Sequence, residues 1–258
     1  MIFGSVFSKF EEFNATTADN KVVRIKNNLI TRIGFKIFGL PHLGMRLRAR
    51  KIIKNIPKNI DKMLDAGFGT GAYSFALSKR ARSITALDIS EEKVKYARKI
   101  NLFKNISFIK GDLCNLKFKD ESFSLVICSD VIEHIKNDEL ALSELARVLK
   151  VGGKLILTVP YNSKDNKRNY KKFQHEKPGY TPEDIARTIN ELNLDLSIRR
   201  IEFYSYKIAD RISNLSYKIR SNIIAAIIFY PLYALALLGD CFIKSKEPNG
   251  MLLVLEKN

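Results

Sequence analysis

The stretch Leu64-Asp65-Ala66-Gly67-Phe68-Gly69-Thr70-Gly71 decides how the chain is read. An acid ends a short apolar run, three glycines follow at alternate positions, and a helical pattern begins near Tyr73. Glycines in such a turn adopt backbone angles closed to other residues and let a ligand approach the main chain. The helix start offers free N–H groups to an anion such as a carboxylate. A tight strand-to-helix connection with no ligand is the plain alternative, so the partners of the turn matter.

Two acids are those partners. Asp88 closes Thr85-Ala86-Leu87-Asp88-Ile89-Ser90, 21 residues after Gly67, the spacing at which a carboxylate accepts hydrogen bonds from ribose hydroxyls. Asp112, in Lys110-Gly111-Asp112-Leu113, follows the next apolar run and falls at the same edge of a parallel sheet, where it can accept from an adenine amino group. Either acid alone is an ordinary cap or turn residue. At successive strand ends beside a glycine turn, they describe a nucleoside that carries a carboxylate. The spacing Gly67-x-Gly69-x-Gly71 lacks the GxGxxG pattern of nicotinamide dinucleotide sites, and no GxxxxGK[ST] sequence supports a nucleoside triphosphatase.

Outward from the turn, short runs rich in Ile, Val and Leu alternate with helical patterns from Asp61 onward, the mark of an α/β core with a parallel sheet. Strands are expected at 62–66, 84–89, 106–109, 123–129, 154–159, 197–204 and 251–256. Helices are expected at 73–79, 91–101, 138–150 and 182–192. The punctuation agrees: Ser90 before Glu91-Glu92 is a helix start, Gly152-Gly153 a stop, and Thr181-Pro182-Glu183-Asp184 a cap, an N1 proline and two acids in order.

Residues 1–60 read as a helical, amphipathic cap ahead of a 61–258 domain. Met45, Ala49, Ile52, Ile53 and Ile56 share one face and Arg46, Arg50 and Lys54 another, until Pro57 ends the pattern. Packing on the core with a lid role is the first expectation, and lying on a membrane surface the alternative. A helical insertion is expected at about 207–245. Within it, residues 223–239 carry no charge. They fall short of the about 20 residues of a membrane span and lie between two strands of one sheet. A buried helix, a shallow membrane hairpin or a dimer interface all suit them.

The net charge of +17 is unevenly spread, with 12 basic and 3 acidic side chains in residues 1–60 and no acid between Asp19 and Asp61. Such a field attracts anions, including phospholipid headgroups and nucleic-acid phosphates, although a solvated basic face explains it as well. The opening residues lack a signal-peptide pattern, so a cytoplasmic protein is expected. Cys114, Cys128 and Cys241 have no CxxC spacing, and His42, His134 and His175 form no paired motif, so no metal is expected.

The chain resembles the class I S-adenosylmethionine-dependent methyltransferases of the type-11 group. The resemblance is carried by LDAGFGTG at 64–71, LDIS at 87–90, GDL at 111–113, FSLVICSDVIEHI at 123–135 and ELARVLKVGGKLILTVP at 144–160. It implies a seven-stranded, Rossmann-like doubly wound sheet whose antiparallel last strand inserts beside the fifth. S-adenosylmethionine is the implied cofactor, with contacts from Asp65, Gly67, Gly69, Gly71, Asp88, Ile89, Asp112 and Leu113 and the main chain near Ser129 beneath the ligand. Phe68 departs from the cysteine common in relatives, a change that a core-facing side chain tolerates.

Methyl transfer from a sulfonium requires orientation and exclusion of water more than a fixed catalytic group. A hydroxyl or acidic-carbon acceptor needs a base, and His134, after the fourth strand, and His175, in the polar stretch 161–180 flanked by Tyr161 and Tyr180, are the candidates. Local packing for His134 and a solvated loop for His175 are the plain alternatives. The expected acceptor is a small molecule, such as a saccharide, a lipid-linked intermediate or a quinone-like ring. It is approached by an enzyme that leans on an anionic membrane through its basic cap and apolar insertion. RNA methylation is the next reading, weakened by Ser129-Asp130-Val131-Ile132 where an Asn-Pro-Pro-Tyr-type signature would stand. A catalytically silent S-adenosylmethionine-binding protein is the third.

Overall fold

The computed structural model describes residues 12–16, 22–26, 43–204 and 248–258. Its centre is a seven-stranded sheet ordered β5-β4-β3-β6-β7-β9-β8. The strands are β3 (Ile60–Ala66), β4 (Ala81–Asp88), β5 (Ile106–Lys110), β6 (Phe123–Ser129), β7 (Leu149–Pro160), β8 (Leu196–Tyr204) and β9 (Gly250–Lys257). From β5 across to β7 all pairings are parallel, and β9 runs antiparallel between β7 and β8. Every strand expected from the hydrophobic runs is present, as is the antiparallel insertion beside the fifth strand of the sheet.

The helices expected from the sequence are present too, and a short one, Lys164–Asn169, lies in the polar stretch 161–180 where none was expected. They are α2 (Ala72–Leu77), α3 (Glu91–Ile100), α4 (Asp138–Val148), α5 (Lys164–Asn169) and α6 (Pro182–Glu191). Ser90 caps α3 by accepting from Lys93 N, and Thr181 with Asp184 forms a reciprocal capping box at α6. One boundary differs. α4 stops at Val148, because Leu149 already adopts extended angles and pairs with Phe123, so Gly152-Gly153 lies inside β7 rather than ending the helix.

Along β3 the side chains alternate between two apolar layers. Met63 packs with Ile52, Phe75 and Phe108 on one side of the sheet, and Leu64 with Val126, Leu142 and Leu157 on the other. With both faces covered, the central strands are near-continuous apolar runs, and truncating a fully buried leucine such as Leu64 to alanine costs about 2–5 kcal/mol.

The helical reading of residues 1–60 needs correction. Helix α1 (Leu43–Asn55) is present, but β1 (Glu12–Thr16) and β2 (Val22–Lys26) form an antiparallel pair. Thr16, Val22, Val23 and Ile25 are β-branched, and Asp19-Asn20 between the strands are turn-favouring residues. Together they outweigh the helical spacing. On α1, Ala49 and Ile52 are buried, as is Ile56 just past its end, while Arg50 and Lys54 face outward. Lys51 Nζ and Asn55 Nδ2 donate to Glu202 on β8, at 3.1 and 3.0 Å. The 207–245 insertion, its apolar stretch and His42 lie outside the described residues. Among the described residues, no helix is long and apolar enough to cross a membrane.

Candidate functional site

The chain leaves β3 toward β4 and β5, then returns to β6 on the other side of β3, so the crevice at the carboxyl ends of β3 and β6 is where a doubly wound sheet opens for a ligand. The glycine turn occupies that place. Gly67 has φ 74°, and a Cβ there would meet Val131 Cγ2 at 2.5 Å. Gly69 has φ 58° with nothing within 4 Å of the corresponding position, which leaves an open cradle beside the main chain. Gly67 N and Phe68 N both donate to Leu87 O, at 2.7 and 3.1 Å, and tie the turn to β4. Phe68 faces the core, edge-on to Phe108 at 5.0 Å, as expected.

Asp65 holds this turn from behind. Gly71 is the N-cap of α2 and has no side chain to offer, so Asp65 Oδ2 accepts from Ser74 N at 3.1 Å and Ser74 Oγ at 2.6 Å in its stead. The carboxyl is 2% exposed. Burial pushes its pKa up to about 6, with the Ser74 hydrogen bonds opposing and the negative field of Asp88 adding to the rise.

Asp88 ends β4 and is also buried. Its Oδ2 accepts from Gly69 N at 3.0 Å and its Oδ1 from Ser90 N at 3.0 Å, with Lys93 Nζ at 3.5 Å from Oδ2. A carboxylate has about four lone-pair sites, so it can hold the turn and still accept from a ligand's hydroxyls. Beside it, Ile89 is 68% exposed, an apolar surface suited to a flat ring. Gly111 N donates to Asp88 O at 3.1 Å, bringing the end of β5 to the same edge. There Leu113 is buried and Asp112 exposed, with Asp112 Oδ1 accepting from Cys114 N at 2.9 Å. Cradle, carboxylate and apolar face together fit a nucleoside with a polar tail.

The other wall follows β6. Ser129 Oγ lies 2.9 Å from Thr158 Oγ1, which donates to Asp130 Oδ1 at 3.1 Å. Asp130 stands at φ 53° and forms an ion pair with Arg48 of α1, so the N-terminal helix touches the edge of the crevice. A 3-10 turn at Ile132–His134 then presents Glu133 and His134. His175 comes to meet them: the two imidazoles stack edge to face with centroids 4.6 Å apart. Burial, helped by His134, pushes the His175 pKa down to about 4, so it is neutral at pH 7.

The loop carrying His175 is pinned from several points. Glu176 N donates to Glu133 O at 2.7 Å, and His134 Nδ1 lies 3.0 Å from Gln174 O. Since a carbonyl oxygen only accepts, Nδ1 carries the proton and Nε2 the lone pair. Lys177 Nζ and Tyr180 Oη both donate to Asp138 at the start of α4, with Lys177 at 2.8 and 2.7 Å from its two oxygens and Tyr180 at 2.7 Å.

Glu133 is 1% exposed, and neither carboxylate oxygen meets a hydrogen-bond partner. Burial pushes its pKa up to about 8, with its own amide and the charge of Arg48 opposing. Burial of this kind favours the neutral acid over the carboxylate at pH 7, and it leaves two oxygens without a hydrogen-bond donor among the described residues.

The two candidate histidines are thus brought together, and the cofactor-side residues converge on one edge. Glu133, Arg48 and the Asp138 anchor were not singled out from the sequence. Glu133 stood in the quoted EH pair, and its burial was the missing information. Arg48 was counted only among basic residues, since nothing local marks its partner 82 positions away.

A family model described as a methyltransferase domain matches residues 64–157. The ubiquinone/menaquinone biosynthesis C-methyltransferase UbiE of Rickettsia massiliae (strain Mtu5) is 34% identical over 144 residues, covering 50% of this chain and 58% of that protein. Its counterpart from Rickettsia prowazekii (strain Madrid E) is 33% identical over the same length. The chain therefore spans somewhat more than half the length of these relatives. Among solved structures, a SAM dependent methyltransferase from Archaeoglobus fulgidus superposes with a TM-score of 0.58 at 19% identity, over 89% of this chain and 100% of that one. The [4+2]-cyclase SpnF does so with a TM-score of 0.59 at 20% identity, over 82% of this chain and 80% of that one. At these identities the structural likeness is one of fold, and the likeness in sequence is carried by the matched domain. Residues 64–157 are thus similar to a methyltransferase domain, and the sheet around them has the fold of S-adenosylmethionine-dependent methyltransferases, whose cofactor is S-adenosylmethionine.

Proposed function

We propose that the protein transfers a methyl group from S-adenosylmethionine to a small-molecule acceptor that enters beside His134 and His175. The observation that carries this reading is the close approach of Val131 to Gly67, which sets His134, three residues further on, and its partner His175 beside the edge of the donor cradle. The relatives are named as ubiquinone/menaquinone biosynthesis C-methyltransferases, which supports a quinone-like ring as the first acceptor to test, ahead of a saccharide or a lipid-linked intermediate.

When bound, S-adenosylmethionine supplies a methyl group on a positively charged sulfur, already activated for in-line displacement. The chain holds, orients and deprotonates. Asp88 accepts from the ribose hydroxyls, Ile89 and Leu113 flank the adenine, Asp112 accepts from its amino group, and the backbone around Gly67 and Gly69 receives the methionine end, with Ser129 beneath. His134 Nε2, whose lone pair is left free by the Gln174 contact, takes the proton of an acceptor hydroxyl or acidic carbon. His175 stays neutral beside it and keeps the pair from accumulating charge before transfer.

The 1–60 cap approaches an anionic membrane surface from the cytoplasmic side, a role supported by its acid-free basic stretch. Sedimentation with anionic liposomes tests this, and absence of binding at low salt overturns it. For the reaction, the protein is incubated with methyl-labelled cofactor and fractionated cell extract. Label in an organic-soluble small molecule is expected. Label confined to RNA or protein, or none in any fraction despite cofactor binding, overturns the acceptor reading.

A further inference from the structure

We propose that Glu133, His134 and His175 bind a divalent first-row transition-metal ion, zinc in the first instance, at the acceptor end of the crevice. One ligand atom from each residue lies within 4.8 Å of the others. Around zinc, with arms of about 2.1 Å, tetrahedral ligand atoms stand about 3.4 Å apart, so side-chain rotations that close the gaps by roughly 1 Å complete the set. Two imidazoles and one carboxylate are a borderline donor set that suits zinc and its neighbours and not magnesium, which demands oxygen.

Glu133 is the independent observation. It is 1% exposed and faces both histidines, and its two oxygens meet no hydrogen-bond donor among the described residues. Arg48 acts on Glu133 through its charge without a hydrogen bond to either oxygen, and the ring nitrogens that Glu133 faces are themselves ligand atoms, so a cation among the three would give its oxygens a direct partner. The surroundings match a metal site's outer shell: His134 Nδ1 donates to Gln174 O at 3.0 Å, which fixes the ring and its tautomer. Glu176 N on Glu133 O at 2.7 Å ties the two ligand-bearing segments together. Gln174 stands at φ 58°, a left-handed angle for a non-glycine residue directly before His175. Three protein ligands leave an open position for an acceptor oxygen. The binding itself stands apart from methyl transfer. Its catalytic use rests on the function proposed above: the ion, in place of the imidazole base, lowers the pKa of an acceptor hydroxyl.

The test uses the full chain after chelator treatment. Zinc alone is titrated in competition with a chelating dye, and cobalt(II) alone is followed by visible absorption. One equivalent of zinc and an intense four-coordinate cobalt band are expected, with no competition from magnesium. His134→Ala and His175→Ala, at exposed and half-buried positions, each weaken zinc by about 100-fold, at the upper end of what even outer-shell losses cost, while circular dichroism stays native. Glu133→Gln gives the same loss. Absence of stoichiometric binding, affinity unchanged in both histidine variants, or a loss appearing with Cys114→Ser instead, overturns the site. None of these readings needs an active enzyme, so failure of the methyl-transfer reading leaves this one decidable.

Discussion

The two walls of the crevice are built in different ways. The wall proposed to seat the donor, from Asp65 to Leu113, is delivered by the carboxyl ends of β3, β4 and β5, and its contacts are mostly backbone groups meeting a neighbouring carbonyl or carboxylate. The wall proposed to receive the acceptor joins His134 to His175 across 41 residues and Arg48 to Asp130 across 82, through a 3-10 turn, a pinned loop and a helix from outside the sheet. Parallel strands place successive residues at one edge by geometry alone. Loops must be tied there by side chains, so their residues can change with the acceptor while the donor seat stays the same.

Variants separate the walls. The largest expected effect is on turnover: His134→Ala lowers kcat by about 10²–10⁴-fold, the range of a lost general base, with S-adenosylmethionine affinity unchanged. A matching loss of cofactor affinity in a folded variant breaks the division into two walls. Gly67→Ala acts on the donor side, forcing a Cβ against Val131 at φ 74°. It is expected to cost about 3 kcal/mol of stability, from strain and overpacking, and to weaken the cofactor, read by thermal melting and titration.

Asp65 sharpens the donor side by pH. Its pKa rises from 3.8 to about 6 on folding, so the folded state binds more protons than the unfolded state between these values. Its contribution is fully present below about pH 4 and is lost as pH rises through about 6, by up to about 3 kcal/mol. Denaturant unfolding of Asp65→Asn, which keeps an acceptor for Ser74, is expected to show a smaller loss over that window than the parent. The smallest effect is Arg48→Ala. The Asp130 pair is half-buried, and its removal is expected to cost about 1–2 kcal/mol and to alter acceptor KM more than cofactor affinity.

The same contrast explains what could be read before the structure. Gly67, Gly69, Asp88 and Asp112 were legible because sequence spacing and strand geometry are one rule in a parallel sheet, and the strand runs were buried on both faces. His134 and His175 were visible as candidates, yet their meeting depends on Lys177 and Tyr180 converging on Asp138, a tertiary fact with no periodic signal. Glu133 stood unremarked inside the run at 123–135, because burial is not written in the residue itself. The β1–β2 hairpin was missed for a different reason: residues 1–60 were weighed as one amphipathic segment, and the β-branched residues flanking Asp19-Asn20 were outvoted by the clear helical stripe of α1.

The central claim is that Asp88 and the glycine turn together seat the nucleoside of S-adenosylmethionine. Calorimetric titration of the cofactor into the parent protein and into Asp88→Ala tests it most directly. One equivalent bound by the parent and a weakening of about 10–100-fold in the variant are expected, the size of hydrogen bonds to a charged acceptor. Equal affinity in a variant that remains folded, or no binding by the parent, contradicts the account.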